Sequence, residues 1–148
     1  EALRMLDRHG AHYRGWLPNT EVPQAFSHHL ATIHVPRRFY VDALPGIPTI
    51  RVFEALACGI PLVCAPWNDA ENLFTPGEDF LMARDGAGMT RHLKALTADP
   101  ALRADLVGHG LATILARHTC AHRMRELLEI AEFLGVPSRA KVPMEACK

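Results

Sequence analysis

The sequence predicts an α/β fold: a parallel β-sheet with helices packed against it. Three observations predict it. Short apolar runs near residues 31–35, 61–65 and 79–83 are separated or followed by segments whose apolar residues recur at helical spacing. The middle run, Pro61-Leu62-Val63-Cys64-Ala65, is apolar on both faces, as a central parallel strand must be. Pro18, Pro36 and Gly59 mark boundaries between these segments. At 148 residues and 49% hydrophobic, the chain has the size and apolar content of one domain with its own core.

Residues 1–9 carry Leu3 and Leu6 on one side and read as the end of an amphipathic helix. They open without a methionine or a cap, so we expect the chain to continue upstream. Residues 13–17 form a strand candidate closed by Pro18. Asn19-Thr20 offers an N-cap for a helix over about 21–29, where Pro23 is tolerated in the first turn. Residues 31–35 are the second strand, stopped by Pro36, and 37–48 read as irregular because Pro45, Gly46 and Pro48 interrupt them. Thr49 is placed to cap a helix over about 50–58, with Gly59 where a left-handed residue ends it. A single helical turn is expected within 69–74 and a fourth strand over 79–83.

Three helices then close the chain. Met89, Leu93 and Leu96 give the inward face of the first. Asp99 as N-cap and Pro100 at the first helical position start the second, whose stripe is Val107, Leu111, Ile114 and Leu115. Thr119 opens the third, with Met124, Leu127, Leu128, Ala131 and Leu134 facing inward. The domain is read as residues 1–136, followed by a loose tail over 137–148.

Sixteen basic residues balance sixteen acidic ones, so no global field draws the protein to nucleic acid or to an anionic membrane surface. No apolar run approaches the roughly 20 residues of a membrane span. Four scattered cysteines without a CxxC pair fit a reduced, cytoplasmic chain better than a disulfide framework, and Cys58 and Cys64 read as small buried hydrophobes. An acidic cluster ending a first strand, which a response-regulator-like domain needs, is not found.

Open α/β sheets bind ligands at the carboxyl ends of strands, beside helix N-termini. Loop 43–49, running into the helix from Ile50, has the composition for that role. Gly46 lets a ligand approach the backbone, Pro48 stiffens the loop, and Thr49 leads into a helix start whose free N–H groups suit a diphosphate. Arg51 can add a bidentate contact to phosphate, and Glu54, one turn further, can accept hydrogen bonds from a ribose diol. Arg51 and Glu54 are equally spaced to pair with each other on a solvated helix face. Arg37 and Arg38 follow the end of the second strand and can neutralise a diphosphate, with Tyr40 placed to stack on a base; the alternative is a solvated basic turn. His34 stands at the same strand end as either a cleft residue or a core one. Trp16 and Trp67 are expected to pack, Trp67 pointing also toward the cleft, while Glu71 can cap a short helix or touch ligand. His118, Cys120 and His122 put two imidazoles four apart, a spacing zinc uses, but no third ligand follows, so no metal is expected.

The stretch Phe53-Glu54-Ala55-Leu56-Ala57-Cys58-Gly59-Ile60-Pro61-Leu62-Val63 resembles the "EA-A-x-G-x-P-V" block of GT-B glycosyltransferases with retaining chemistry. Ala70 to Phe80 resembles the turn before that family's last strand, and Leu93 through Asp99-Pro100-Ala101-Leu102-Arg103 resembles its "ll-x-DP-x-l-r" junction. Together with Arg51 and His118-Thr119, the pattern is most similar to the group 1, spore-maturation (CgeB-like) branch, over about residues 13–128.

The resemblance implies a Rossmann-like donor domain, the C-terminal half of a GT-B fold, that binds a nucleotide-diphosphate sugar without a cofactor or metal and belongs to a hexosyltransferase-like enzyme. It assigns Glu54 to the ribose hydroxyls and the loop from Gly46 through Pro48 and Thr49 to the pyrophosphate and sugar. Where the larger family has a further glutamate, eight positions before the ribose one, this chain has Gly46, which opens the identity of the sugar and the stereochemical outcome. A first βαβ unit and an N-terminal acceptor domain are expected upstream, so the fragment alone is expected to be inactive. The sheet edge left open offers a route to a homodimer. The alternative is a non-catalytic nucleotide-binding or protein-interaction module on the same fold.

Overall fold

The structure, a computed structural model, describes residues 8, 10–44 and 46–136. Three parallel strands, β1 (Thr32–His34), β2 (Leu62–Cys64) and β3 (Leu81–Met82), lie side by side in that order. Thr32 pairs with Leu62, Ile33 with Val63 and His34 with Cys64, while Val63 pairs with Leu81 and Cys64 with Met82. The fold class is therefore the predicted one, a parallel sheet flanked by helices.

Strand alternation divides the core between the two faces of β2. Leu62 and Cys64 point into one cluster with Val52, Ala55 and Leu56 of helix α3 (Ile50–Ala57), Phe74, Phe80 and Ile114. Val63 points into the other, with Ala83, Leu96 and Leu106. All three β2 residues are fully buried, so each large aliphatic one contributes about 1.5–3 kcal/mol by leaving water. The continuous apolar run read for this segment is what that two-sided burial requires.

Helix α3 ends in a Schellman motif. Gly59, at φ +67°, donates its N–H to Leu56 O (3.1 Å), and Ile60 N–H donates to Ala55 O (3.2 Å). Ile60 and Ala55 are both in the core, so the motif turns the chain directly into β2.

The last three helices are α4 (Gly86–Ala98), α5 (Pro100–Arg117) and α6 (Cys120–Phe133). Asp99 Oδ1 accepts from the N–H groups of Ala101 (2.9 Å) and Leu102 (3.1 Å), with Pro100 at the first helical position, as expected. Leu96 of α4 is buried, and Met89 and Leu93 pack beside it. On α5 the buried stripe is Leu106, Gly110 and Ile114: Ile114 is buried as expected, while Leu106 and Gly110, each one residue round, take the places of Val107 and Leu111. Val107 and Leu111 are half-buried and Leu115 is exposed. The shift follows from Gly110, where a Cβ would stand 2.8 Å from Leu56 Cδ2 and 3.1 Å from Asp79 O, so α5 approaches α3 across a glycine.

Several expectations are corrected. Residues 13–17 form no strand, and Trp16 does not pack but is 84% exposed: among the described residues no neighbouring strand accepts their backbone groups. A 3-10 turn at Asn19–Glu21 precedes helix α1 (Val22–Ser27), which has no side-chain cap from Asn19 or Thr20. Residues 37–48 are not wholly irregular but hold helix α2 (Arg38–Ala43). Residues 69–74 form a turn and no helix, because Asp69 Oδ2 accepts from Phe74 N–H (3.0 Å) and closes the loop instead. Met124, Leu127, Leu128 and Leu134 of the last helical segment face solvent, no element of the described residues covering them, and Ala131 is half-buried. Cys58 is exposed at the end of α3, while Cys64 is buried and its thiol pushed up to about 12 by that burial. The helix read over 1–9 lies almost entirely outside the described residues, as does the tail over 137–148.

Candidate functional site

At the carboxyl end of β1 the chain opens a cleft. Its floor is His34 and Val52, one wall is α2 with the loop after it (Tyr40, Val41, Leu44, Ile47), and the opposite wall is Trp67 and Asn68 from the segment after β2. Gly46, Pro48 and Thr49 complete the rim. The empty space between these residues, its open mouth included, is about 470 Å³. A wider groove continues past His34, Tyr40, Pro48 and Thr49 to Arg37, Ile50 and Arg51, so apolar pocket and basic groove are one continuous feature.

Thr49 occupies the N-cap position of α3, yet its hydroxyl caps nothing in its own helix. Its Oγ1 is 2.7 Å from His34 Nε2, a bond that ties the end of β1 to the start of α3. The first N–H groups of α3 are thereby left without a side-chain cap at the mouth of the groove. Burial and the Arg51 guanidinium hold His34 below the ordinary imidazole value, so the free site carries a neutral ring near pH 7.

Gly46 has φ +96°, and the place of its missing Cβ is filled by Asn68 O and Ala70 Cβ, each at 3.1 Å. It is a point of close loop-to-loop approach, with the loop carrying Trp67 pressed against it. Arg51 Nη1 stands 2.9 Å from Glu54 Oε2, the i, i+3 pairing that the spacing left open. That oxygen is closed off from solvent and has no partner in hydrogen-bond geometry, so the two charges meet without a well-formed bond. Arg37 is the N-cap residue of α2 and lines the groove; Arg38, in the first turn of α2, is exposed and does not line it. Glu54 also lies behind the lining residues, one turn inside α3.

The segment between β2 and β3 is held by side chains and not by helix. Trp67 stacks on Phe80 with centroids 5.2 Å apart. Asp79, 3% exposed, accepts from Thr75 N–H (2.7 Å) and from the Thr113 hydroxyl of α5 (2.8 Å). Buried Trp67 Nε1 and Asp69 Oδ1 have no hydrogen-bond partner, an unusual condition for interior polar atoms. Glu71 is exposed and lies away from the cleft, beside α6.

The histidines expected at a zinc spacing are engaged elsewhere. Arg123 Nη2 can only donate, so His118 Nδ1 accepts from it (2.5 Å) and Nε2–H donates to Leu73 O (3.1 Å). His122 Nδ1 meets Thr119 Oγ1 at 2.7 Å. Among the described residues no three metal-ligating side chains come together.

Sequence reasoning singled out neither Val41 nor Val52 among the cleft's lining, and reached Leu44, Ile47 and Asn68 only as parts of their loops. The signal available was the amphipathic run Phe39-Tyr40-Val41 before Asp42, hidden by the prolines and glycine that follow it.

The cleft lies at the carboxyl end of a strand of a parallel sheet, beside a helix N-terminus, which is where open α/β sheets place their ligands. The family model described as Glycosyl transferase-like matches residues 4–129, most of the chain, and the chain belongs to that family. Comparison with curated proteins and with solved structures gives no match. Among the described residues no helix is long and apolar enough to cross a membrane.

Proposed function

We propose that this chain is the donor-binding domain of a GT-B-type glycosyltransferase, and that its cleft takes the diphosphate and nucleoside of a nucleotide-activated sugar. The observation that carries the reading is the uncapped start of α3 at the carboxyl end of β1, in a chain of this family. In this reading the diphosphate sits at the first N–H groups of α3 beside Thr49, with Arg37 and Arg51 neutralising it. Tyr40 stacks on the base. Glu54 gives up its poorly formed pair with Arg51 and accepts the ribose hydroxyls, while Arg51 turns to phosphate. As the glycosidic bond to the leaving group breaks, the same N–H groups and guanidiniums stabilise the charge developing on the departing diphosphate.

The test is calorimetry of the chain with uridine, guanosine, thymidine and adenosine diphosphates. One of them is expected to bind, and Glu54→Ala to weaken it about 10- to 100-fold, the worth of hydrogen bonds to a charged acceptor. Absence of binding by the folded chain, or affinity in both Glu54→Ala and Arg51→Ala equal to that of the unsubstituted chain, would overturn the reading. A chain that binds nucleotide but, joined to its upstream residues, transfers no sugar would be a binding module on the same fold.

A further inference from the structure

Resting on the nucleotide-sugar reading of the cleft, we propose that His34 takes up a proton when the donor's diphosphate binds, and thereby turns Thr49 into a hydroxyl donor to phosphate. His34 is the polar floor of the cleft and the wider groove at once. Its Nε2 touches Thr49 Oγ1 at 2.7 Å, and Thr49 precedes the helix start at which the anion would sit.

A neutral imidazole can accept the Thr49 hydrogen at Nε2, and that hydrogen is then not offered to a ligand. An imidazolium carries N–H on both ring nitrogens. Its Nε2–H donates to Oγ1, and the hydroxyl hydrogen is free to point at a phosphate oxygen. One proton moves from solvent onto the ring, and no other bond is made or broken.

The surroundings set the direction of the linkage. The groups around His34 are Arg51 on α3, Arg37 at the start of α2, Tyr40 on α2, and Cys64, its register partner on β2. Arg37 and Arg51 are cations, Cys64 is a neutral thiol because burial holds it protonated, and Glu54 is engaged with Arg51. Without ligand, burial and Arg51 oppose protonation of His34. A bound diphosphate places negative charge on the Thr49 side of the ring and occupies the arginines, which reverses the sign.

The experiment titrates the chain with UDP-, GDP-, dTDP- and ADP-glucose from about pH 5.5 to about pH 8, in buffers of different ionisation enthalpy. The diphosphate of these diesters stays fully ionised over that range, so proton uptake reports the protein. For the sugar nucleotide that binds, proton uptake is expected, with affinity falling by up to about tenfold per pH unit as pH rises between the free and bound values of the ring. His34→Gln keeps a nitrogen donor toward Thr49 but cannot titrate; it is expected to bind with a flat pH profile and no uptake that depends on residue 34. Equal proton uptake and equal pH dependence in the two proteins would overturn the proposal while leaving the nucleotide-sugar reading intact. Failure of all four to bind the folded wild-type chain at any pH would overturn that reading, and the role of His34 with it.

Discussion

At Gly46 the backbone holds φ +96°, a region that side chains avoid, and a Cβ there would press on Asn68 O and Ala70 Cβ at 3.1 Å. Gly46→Ala must therefore strain the turn and push the Trp67 loop off the cleft. We expect a loss of roughly 1–3 kcal/mol, a fall in melting temperature of at least about 2 °C, and weaker nucleotide binding. An unchanged melting curve would contradict the close approach of the two loops. The same residue illustrates how much of the site was legible. Gly46, Pro48, Thr49 and Arg51 stood out because loop punctuation and helix-start chemistry are local properties of sequence. That Thr49 would spend its hydroxyl on His34 instead of its own helix was not legible, since the partner lies fifteen residues away and the contact exists only after β1 and α3 dock. The pairing of Arg51 with Glu54 was visible as an option, because i, i+3 spacing permits it, but spacing cannot rank an ion pair against a ligand.

Among the elements, α5 is the one whose start is most fully determined. Asp99 Oδ1 satisfies two orphan N–H groups, so Asp99→Ala is expected to cost about 1 kcal/mol. Urea unfolding checks this through a shifted midpoint at constant slope; a midpoint equal to wild type would mean the cap is dispensable. Helices with such local signals were found from sequence: Asp99 and Thr119 both cap where expected, and Gly59 ends α3 as a Schellman glycine. The strand expected at 13–17 failed because a strand is defined by its partner, and that segment has none among the described residues. Helix α2 was missed because it is six residues long, lacks a side-chain cap and runs into a proline-glycine loop. The stripe of Met124, Leu127 and Leu128 on α6 is real as a pattern, but helical periodicity says which residues share a face and not whether anything covers it.

For the whole molecule, two half-buried imidazoles tie separate parts of the fold together, and both resist protonation. His34 joins β1 to α3, while His118, at the end of α5, donates to Leu73 O and holds the loop after β2. Burial lowers both rings, helped at His34 by Arg51; at His118, Arg123 and Arg117 act in the same direction, while the Leu73 carbonyl and Asp79 oppose it. The unfolded chain, with ordinary imidazoles near 6.5, then binds more protons than the native one between that value and the lower native ones. Stability is consequently full above about pH 7 and falls as pH drops through 6.5, before carboxylates begin to protonate. A melting series from about pH 8 to about pH 5 should show this decline, and His118→Asn should flatten part of it. Bound sugar nucleotide should remove the share that belongs to His34, because the diphosphate stabilises the protonated ring that the empty cleft disfavours. Acid sensitivity that is the same with and without a bound sugar nucleotide would separate His34 from the ligand; sensitivity that survives in His118→Asn and His34→Gln alike would place its origin elsewhere in the fold.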